Sequence, residues 1–290
     1  MAQNLPAATG FFAEIRQDGG RPVAPVFASL GSQAELRERT ADQHLRAVLL
    51  HSGTPADAHA RAQGRTLVLA GELYNQDELF QLLPGHNLPS SGAALVLALF
   101  DRYDVHAFRL INGRFAALVA DGGRIVLATD HAGSVPLYVS VAPGRVLAAT
   151  EAKALRTAPA GQSVVAGTRP VRRLPGTHQV QAGTVLDINA DTGNCAAHRT
   201  WAPQLARRVM REDEAVEKVR QVLESAVRAR VSPDTPLVVL SGGIDSSSVA
   251  ALAARRSSGR IDTISVTPPP PEGGGFSLCR LGFATDQPGP

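Results

Sequence analysis

The segment that most constrains this chain is Leu237-Val-Val-Leu240, which runs directly into Ser241-Gly-Gly-Ile-Asp-Ser-Ser247. A short, wholly apolar run has the pattern of a central parallel strand buried on both faces. The Ala-rich stretch from Ser246 to about Arg256 has the composition of a helix. Between them, Gly242 and Gly243 permit backbone angles closed to other residues and let the main chain approach a ligand closely. The N–H groups at a helix start, with its positive dipole end, favour a polyanion. Ser241, Ser246 and Ser247 add hydroxyl donors. Asp245 would repel a bare phosphate, which points to a Mg²⁺ ion bridging its carboxylate and phosphate oxygens. A plain strand-to-helix turn would explain a lone Gly-Gly, but not the whole string in this context. A helix-end charge interaction contributes about 0.3–1 kcal/mol, while micromolar binding needs about 8 kcal/mol. Most of the affinity must therefore come from an adenine pocket and other phosphate ligands.

The flanking sequence extends the pattern. Val216, Val219, Leu223, Ala226 and Val227 fall on one helical face, with Glu224 and Arg228 an i,i+4 pair outside it. Pro233-Asp-Thr-Pro236 breaks the chain before the strand. Helix, strand, loop and helix in that order open a doubly wound α/β domain, over residues 206–265. Trp201–Arg211 reads as a linker. From Val266 to Pro290 the chain is rich in Pro and Gly, with Pro268–Pro271 and Gly273–Gly275, and its composition predicts a disordered tail.

Residues 1–205 read as strands with a few helices. The apolar runs Thr9–Ile15, Leu45–Leu50 and Thr66–Leu73 are short and bounded by turn residues, as buried strands are. Asn75 is placed to cap a helix over Asp77–Leu83, with Glu78 completing a capping box. A longer helix is expected over Ala93–Tyr103. Arg114–Ala120 and Arg124–Thr129 flank Asp121-Gly122-Gly123, a hairpin signal. Further strands are expected at Leu137–Val141, Val146–Ala149 and Thr184–Ile188. The sum is an α+β sandwich with helices on the outer faces of its sheets. Phe11, Phe12, Phe115 and Tyr138 read as core.

Composition narrows the function classes. A net charge of +3, with no long basic run, favours a solvated surface over a nucleic-acid footprint. Cys195 and Cys279 are too few for a disulfide framework and lack metal spacing, so a reducing cytoplasm fits. Met1-Ala-Gln-Asn-Leu-Pro has no signal-peptide pattern, and the apolar run Ala93–Phe100 falls far short of the about 20 residues a bilayer requires. The eight histidines are scattered singly. His44 and His51 lack metal-helix spacing, and structural roles suit His106 and His131.

Leu240-Ser-Gly-Gly-Ile-Asp-Ser-Ser247 resembles the signature of the ATP pyrophosphatases, which adenylate a carboxylate and release pyrophosphate. That resemblance implies nucleotide binding by Leu240, Ser241, Gly242, Gly243, Ile244, Asp245 and Ser246, with Mg²⁺ at Asp245. Gly71-Glu-Leu-Tyr-Asn75, Asn112-Gly-Arg-Phe-Ala116, Thr129-Asp-His-Ala-Gly133 with Pro136-Leu-Tyr138, and Thr150-Glu-Ala-Lys-Ala-Leu155 resemble landmarks of class II glutamine amidotransferase domains, in the order found in asparagine synthetases. The implied fold is an αββα sandwich of the Ntn-hydrolase type followed by the start of a PP-loop α/β domain. The resemblance covers residues 8 to about 265.

Several expected glutaminase residues are replaced. Ala2 stands where these enzymes carry a cysteine nucleophile after the initiator Met, and Ala70 where they place an oxyanion-donating Asn. Losing one such donor costs about 10²–10³ in rate. The substrate-binding Asp is missing near Gly92, and the Arg-Gly-Pro-Asp segment is not evident near His51. Glu72 and Asn75 read as structural rather than as pocket remnants. A front domain that cannot free ammonia resembles that of the β-lactam synthetases within the superfamily. These adenylate N2-(2-carboxyethyl)-L-arginine with ATP·Mg²⁺ and close a lactam with the substrate's own amine. An asparagine synthetase homologue using free ammonia and a non-catalytic scaffold fragment are the alternatives, and a homodimer is compatible with the family. No synthetase catalytic residue can be placed, and the abrupt change after Ser265 predicts a frameshift or truncation, with an inactive chain as its consequence.

Overall fold

The computed structural model describes residues 10–17, 35–41, 45–51, 58–83, 89–156, 161–162, 165–203, 210–231, 237–257, 261–266 and 278–280. The chain divides between residues 204 and 205 into two compact units. In the first, the elements are β1 (Gly10–Arg16), β2 (Glu35–Ala41), β3 (Leu45–His51), β4 (His59–Ala62), β5 (Arg65–Leu73), α1 (Gln76–Phe80), α2 (Gly92–Tyr103), β6 (Gly113–Asp121), β7 (Arg124–Thr129), β8 (Tyr138–Ala142), β9 (Arg145–Ala149), β10 (Thr168–Pro170), β11 (His178–Val180), β12 (Thr184–Asn189) and β13 (Cys195–Arg199). Single 3-10 turns lie at Asp104–Arg109 and Ala152–Leu155.

Seven strands form a sheet in the order β10-β11-β8-β9-β1-β3-β2, and six form another in the order β13-β12-β7-β6-β5-β4. The period of two explains why the central strands carry so few polar residues. Along β5, Val68 and Ala70 face the core between the sheets, while Leu67, Leu69 and Leu73 join the core under α2. Along β6, Ala116, Leu118 and Ala120 point one way and Phe115, Ala117 and Val119 the other. Leu95, Val96, Leu99 and Phe100 of α2 close the second core. Both faces of the six-stranded sheet are thus buried, one by a sheet and one by a helix. Of the two outer helical layers expected from the sequence, the described residues contain the one on this sheet.

Several expectations are corrected in detail. The helix expected to reach Leu83 ends at Phe80, where the Leu82 and Leu83 N–H groups turn to carbonyls three residues back. Asn75 is its N-cap residue, but its side chain makes no capping bond to the helix backbone, because it is engaged with Leu110 and Asn112 instead. Tyr138 is half-buried rather than core. Strand β2 has the charged sequence Glu-Leu-Arg-Glu-Arg-Thr-Ala and gave no apolar signal. It forms at the sheet edge by backbone pairing to β3.

The second unit contains α3 (Glu212–Arg230), β14 (Leu237–Val239), α4 (Ile244–Arg256), β15 (Asp262–Val266) and β16 (Leu278–Arg280). Strand β14 pairs in parallel with β15, as the doubly wound reading requires. It has one neighbour among the described residues, so it stands at an edge rather than at the centre expected. Leu278–Arg280, in the stretch expected to be disordered, pairs antiparallel with β15, whose open edge offers unpaired N–H and C=O groups. The rest of that stretch, residues 267–277 and 281–290, lies outside the described residues, as do positions 204–209 of the linker.

Val227, Val238, Leu240, Ala250, Ala253 and Ile261 form the core of this unit. The apolar face of α3 is only half used: Val227 is buried, whereas Val216 and Val219 are 62% and 66% exposed. The expected Glu224–Arg228 pair is not formed; both side chains line the groove between the helices, and Glu217 pairs with Arg220 instead.

Candidate functional sites

In the front unit, residues of the four sequence landmarks brace strand ends. Gly71 pairs with Phe115 across β5 and β6, and a Cβ on Gly71 would lie 1.9 Å from the Arg114 carbonyl oxygen. Asp130 is 2% exposed, and its carboxylate accepts from the N–H groups of Phe115, Ala132 and Ser134 and from the Ser134 hydroxyl. Thr150 Oγ1 accepts the Phe11 N–H at 3.1 Å. Glu72 is exposed and lies 4.0 Å from Arg114, a weak surface pair. His131 packs against Trp201 with ring centroids 5.5 Å apart, a contact that suits a structural role. His106 is exposed on the 3-10 turn.

The positions where glutaminase chemistry was expected are apolar. Ala70 is fully buried in the core between the sheets. At Gly92, an added Cβ would touch Leu73 Cδ1 at 3.5 Å and Leu69 Cδ2 at 3.8 Å. Ala2 lies outside the described residues. Cys195 offers no substitute nucleophile. Burial first, and the Asp187 carboxylate second, push its thiol up to about 11, so the thiolate is scarce at neutral pH.

In the second unit, β14 delivers the chain to the glycine loop. Leu240 is 8% exposed in the core, its N–H donates to the Ile264 carbonyl at 2.9 Å, and its carbonyl accepts from Ser265 Oγ at 2.6 Å. Its buried side chain anchors the start of the loop. Ser265 was not singled out by the sequence; its position beside the strand end shows only once β14 and β15 pair. Gly242 has φ +83° with nothing within 4 Å of an added Cβ, and Gly243 would meet only Ser241 Oγ, at 3.6 Å. Ser241 through Asp245 are exposed, and Ile244 is 82% exposed.

This geometry fits a polyphosphate. Gly243 is the N-cap of α4 and the first helical N–H bond is made by Ser247, so the N–H groups of Gly242, Gly243, Ile244, Asp245 and Ser246 have no protein acceptor among the described residues. Open space over the glycines, free donors and the helix dipole all favour an anion. Among the described residues no three His, Cys, Asp or Glu side chains cluster as a metal site. Asp245 would supply one Mg²⁺ ligand, with phosphate oxygens and water completing the shell.

Residues 44–157 match the glutamine amidotransferase domain family, and residues 218–274 match asparagine synthase. Over 272 residues the chain is 53% identical to the carboxyethyl-arginine beta-lactam-synthase of Streptomyces clavuligerus, covering 90% of this chain and 52% of that protein. The chain belongs to the asparagine synthetase superfamily. A glutamine-hydrolyzing asparagine synthetase of Bacillus subtilis is 29% identical over 209 residues, covering 65% of this chain and 34% of the relative. Asparagine synthetase B of Escherichia coli is 28% identical over 215 residues, covering 69% and 34%. The chain thus spans about half the length of the first relative and about a third of the other two. The superfamily accounts for both units: a class II amidotransferase sandwich, then the opening of a PP-loop domain. No helix among the described residues is long and apolar enough to cross a membrane.

Proposed function

We propose that this chain is the amidotransferase-like front and phosphate-binding start of an ATP-dependent, AMP-forming ligase that closes a β-lactam in a carboxyethyl-arginine-like amino acid. The observation that carries the reading is the apolar character of the former glutamine site. Ala70 is buried among aliphatic side chains and Gly92 sits against Leu73 and Leu69, so neither of these two positions supplies an oxyanion-donating side chain or a carboxylate. A synthetase served by such a domain receives no ammonia from glutamine and takes its amine from within the substrate. The 53% identity to a carboxyethyl-arginine beta-lactam-synthase supports the same substrate class.

In this reading ATP·Mg²⁺ supplies the adenylyl group that activates the substrate carboxylate. The chain's own contribution is to hold the leaving pyrophosphate: the N–H groups from Gly242 to Ser246 donate to its oxygens, the glycines admit them closely, and Asp245 holds the cation. Residues beyond residue 290, carried by the relatives in the rest of the synthetase domain, would complete the adenine and substrate pockets. A cytoplasmic setting and a homodimer are part of the same proposal.

The test is AMP and pyrophosphate release by the protein joined to a complete synthetase domain. Formation with N2-(2-carboxyethyl)-L-arginine, and none with aspartate plus ammonia, is the expected result. Turnover of aspartate plus ammonia alone would instead establish an ammonia-using asparagine synthetase. Glutamine hydrolysis by the front domain would overturn the argument from the apolar site.

A further inference from the structure

A cavity of about 240 Å³ opens in the front unit beside the Asp130 turn. The buried rings of Phe108 and Phe115 line it, together with the indole of Trp201, which is 47% exposed. Phe108 and Phe115 belong to the core under α2, whereas Ala70 faces the core between the sheets. The cavity therefore lies across the six-stranded sheet from the Ala70 position.

The polar groups along the cavity are unevenly engaged. Among the described residues that line it, Asp130 alone is acidic. A carboxylate has about four lone-pair sites, and that of Asp130 already accepts from the N–H groups of Phe115, Ala132 and Ser134 and from the Ser134 hydroxyl. It has no place left for a cation. Thr129 Oγ1 donates to the Gln181 carbonyl at 2.8 Å. The donors are in the opposite state. The Arg109 guanidinium, the Asn112 side-chain amide, the His131 ring, the Thr200 hydroxyl and the Trp201 indole N–H have no hydrogen-bond partner among the described residues.

Acceptors already filled and donors left open select a ligand that brings acceptors of its own. The planar fork of Arg109 matches a carboxylate. The aromatic lining favours a flat apolar body, and Trp201 leaves ring surface exposed for it. The volume holds about eight waters at about 30 Å³ each, which suits one ring with a short acid arm and is too small for a nucleotide. We propose that this cavity binds a small carboxylic acid with a planar apolar body, its carboxylate on Arg109 and its ring against Trp201 and Phe108. The inference does not rest on the ligase reading, because no residue of the glycine loop takes part.

The experiment uses the 290-residue chain, whose only tryptophan is Trp201, so that its emission reports on this cavity directly. Titration with phenylacetate is expected to change that emission saturably. Phenylacetamide, which lacks the charge, and acetate, which lacks the ring, are each expected to bind about tenfold more weakly. Arg109→Gln is expected to weaken phenylacetate by about tenfold and to leave the urea midpoint unchanged, since Arg109 has no protein partner to lose. Arg109→Lys keeps the charge without the fork and should fall between the two. The absence of a saturable response, equal binding of phenylacetamide, or undiminished binding by Arg109→Gln would overturn the carboxylate site. Acetate binding as tightly as phenylacetate would overturn the apolar body.

Discussion

Asn75 Oδ1 accepts the Asn112 N–H at 2.9 Å, and Asn75 Nδ2 donates to the Leu110 carbonyl at 3.0 Å. The Tyr74 N–H returns the tie to the Asn112 carbonyl at 2.7 Å. Two landmarks far apart in sequence therefore form one joint, which gives their likeness to the amidotransferases an architectural basis. Asn75→Ala removes these two bonds and a longer one from Nδ2 to Glu78 at a half-buried site, and is expected to cost about 1–2 kcal/mol. Asn75→Asp keeps the acceptor for Asn112 but sets a carboxylate oxygen against the Leu110 carbonyl and the Glu78 carboxylate, and should cost at least as much. Urea unfolding of the two variants checks the order.

Gly71 and Gly122 both have positive φ, at +112° and +57°, but their surroundings differ. A Cβ on Gly71 would meet the Arg114 carbonyl oxygen at 1.9 Å, a backbone atom fixed by the β5–β6 ladder. A Cβ on Gly122, at the hairpin turn, would meet nothing within 4 Å. Gly122→Ala is expected to cost about 1–2 kcal/mol, the strain of the left-handed backbone. Gly71→Ala adds a backbone clash and is expected to cost more than about 3 kcal/mol or to prevent folding. Thermal melts of the two variants should separate them clearly; similar melting temperatures would contradict the assigned close approach.

The sequence was most legible where burial is two-sided or a turn is obligatory. The hairpin at Asp121–Gly123 and the helix up to Tyr103 stand within a residue of their expected limits. The glycine loop enters α4 as expected. Strands β2 and β13 were missed because edge strands are held by backbone pairing that leaves no apolar period to read. Side-chain choices were less legible still. Asn75 had two local outlets, a helix cap and a distant loop, and sequence spacing records only the first.

Cys195 gives a pH-dependent signature. Its thiol is raised from an ordinary 9.0 to about 11, by burial and then by Asp187. The protonated form is favoured by folding, so its contribution to stability is fully present below about 9 and is lost as pH rises through about 11. Alkylation of Cys195 in the folded chain by iodoacetamide, scored apart from Cys279 by peptide mapping, is expected to be slow at neutral pH, with a midpoint near 11. Asp187→Asn should lower that midpoint while burial keeps it above the free-thiol value. A midpoint at the free-thiol value in the unaltered chain would show that neither cause operates.

Arg124 joins the helix layer to the six-stranded sheet. Its Nε and Nη2 donate to Asp187 at 3.0 and 2.7 Å, its Nη1 and Nη2 to Asp104 at 2.9 and 3.1 Å, and its guanidinium lies 5.8 Å from the Phe100 ring centroid. Asp104 caps the end of α2 with φ +51°, a strained angle for a residue with a Cβ. Arg124→Lys keeps the charge but cannot bridge both carboxylates, and is expected to destabilise by about 1.5–3 kcal/mol. Asp104→Gly loses the pair whose carboxylate side chain is 52% exposed, a contact of about 0–1 kcal/mol, and also relieves about 1–2 kcal/mol of backbone strain. It should therefore match the unaltered chain or exceed its stability by up to about 2 kcal/mol. Equal, large losses in both variants would mean that Asp104, not the planar fork of Arg124, holds the joint. A double-mutant cycle by urea unfolding distinguishes the two cases, because the coupling energy isolates the Arg124–Asp104 contact from the strain at residue 104.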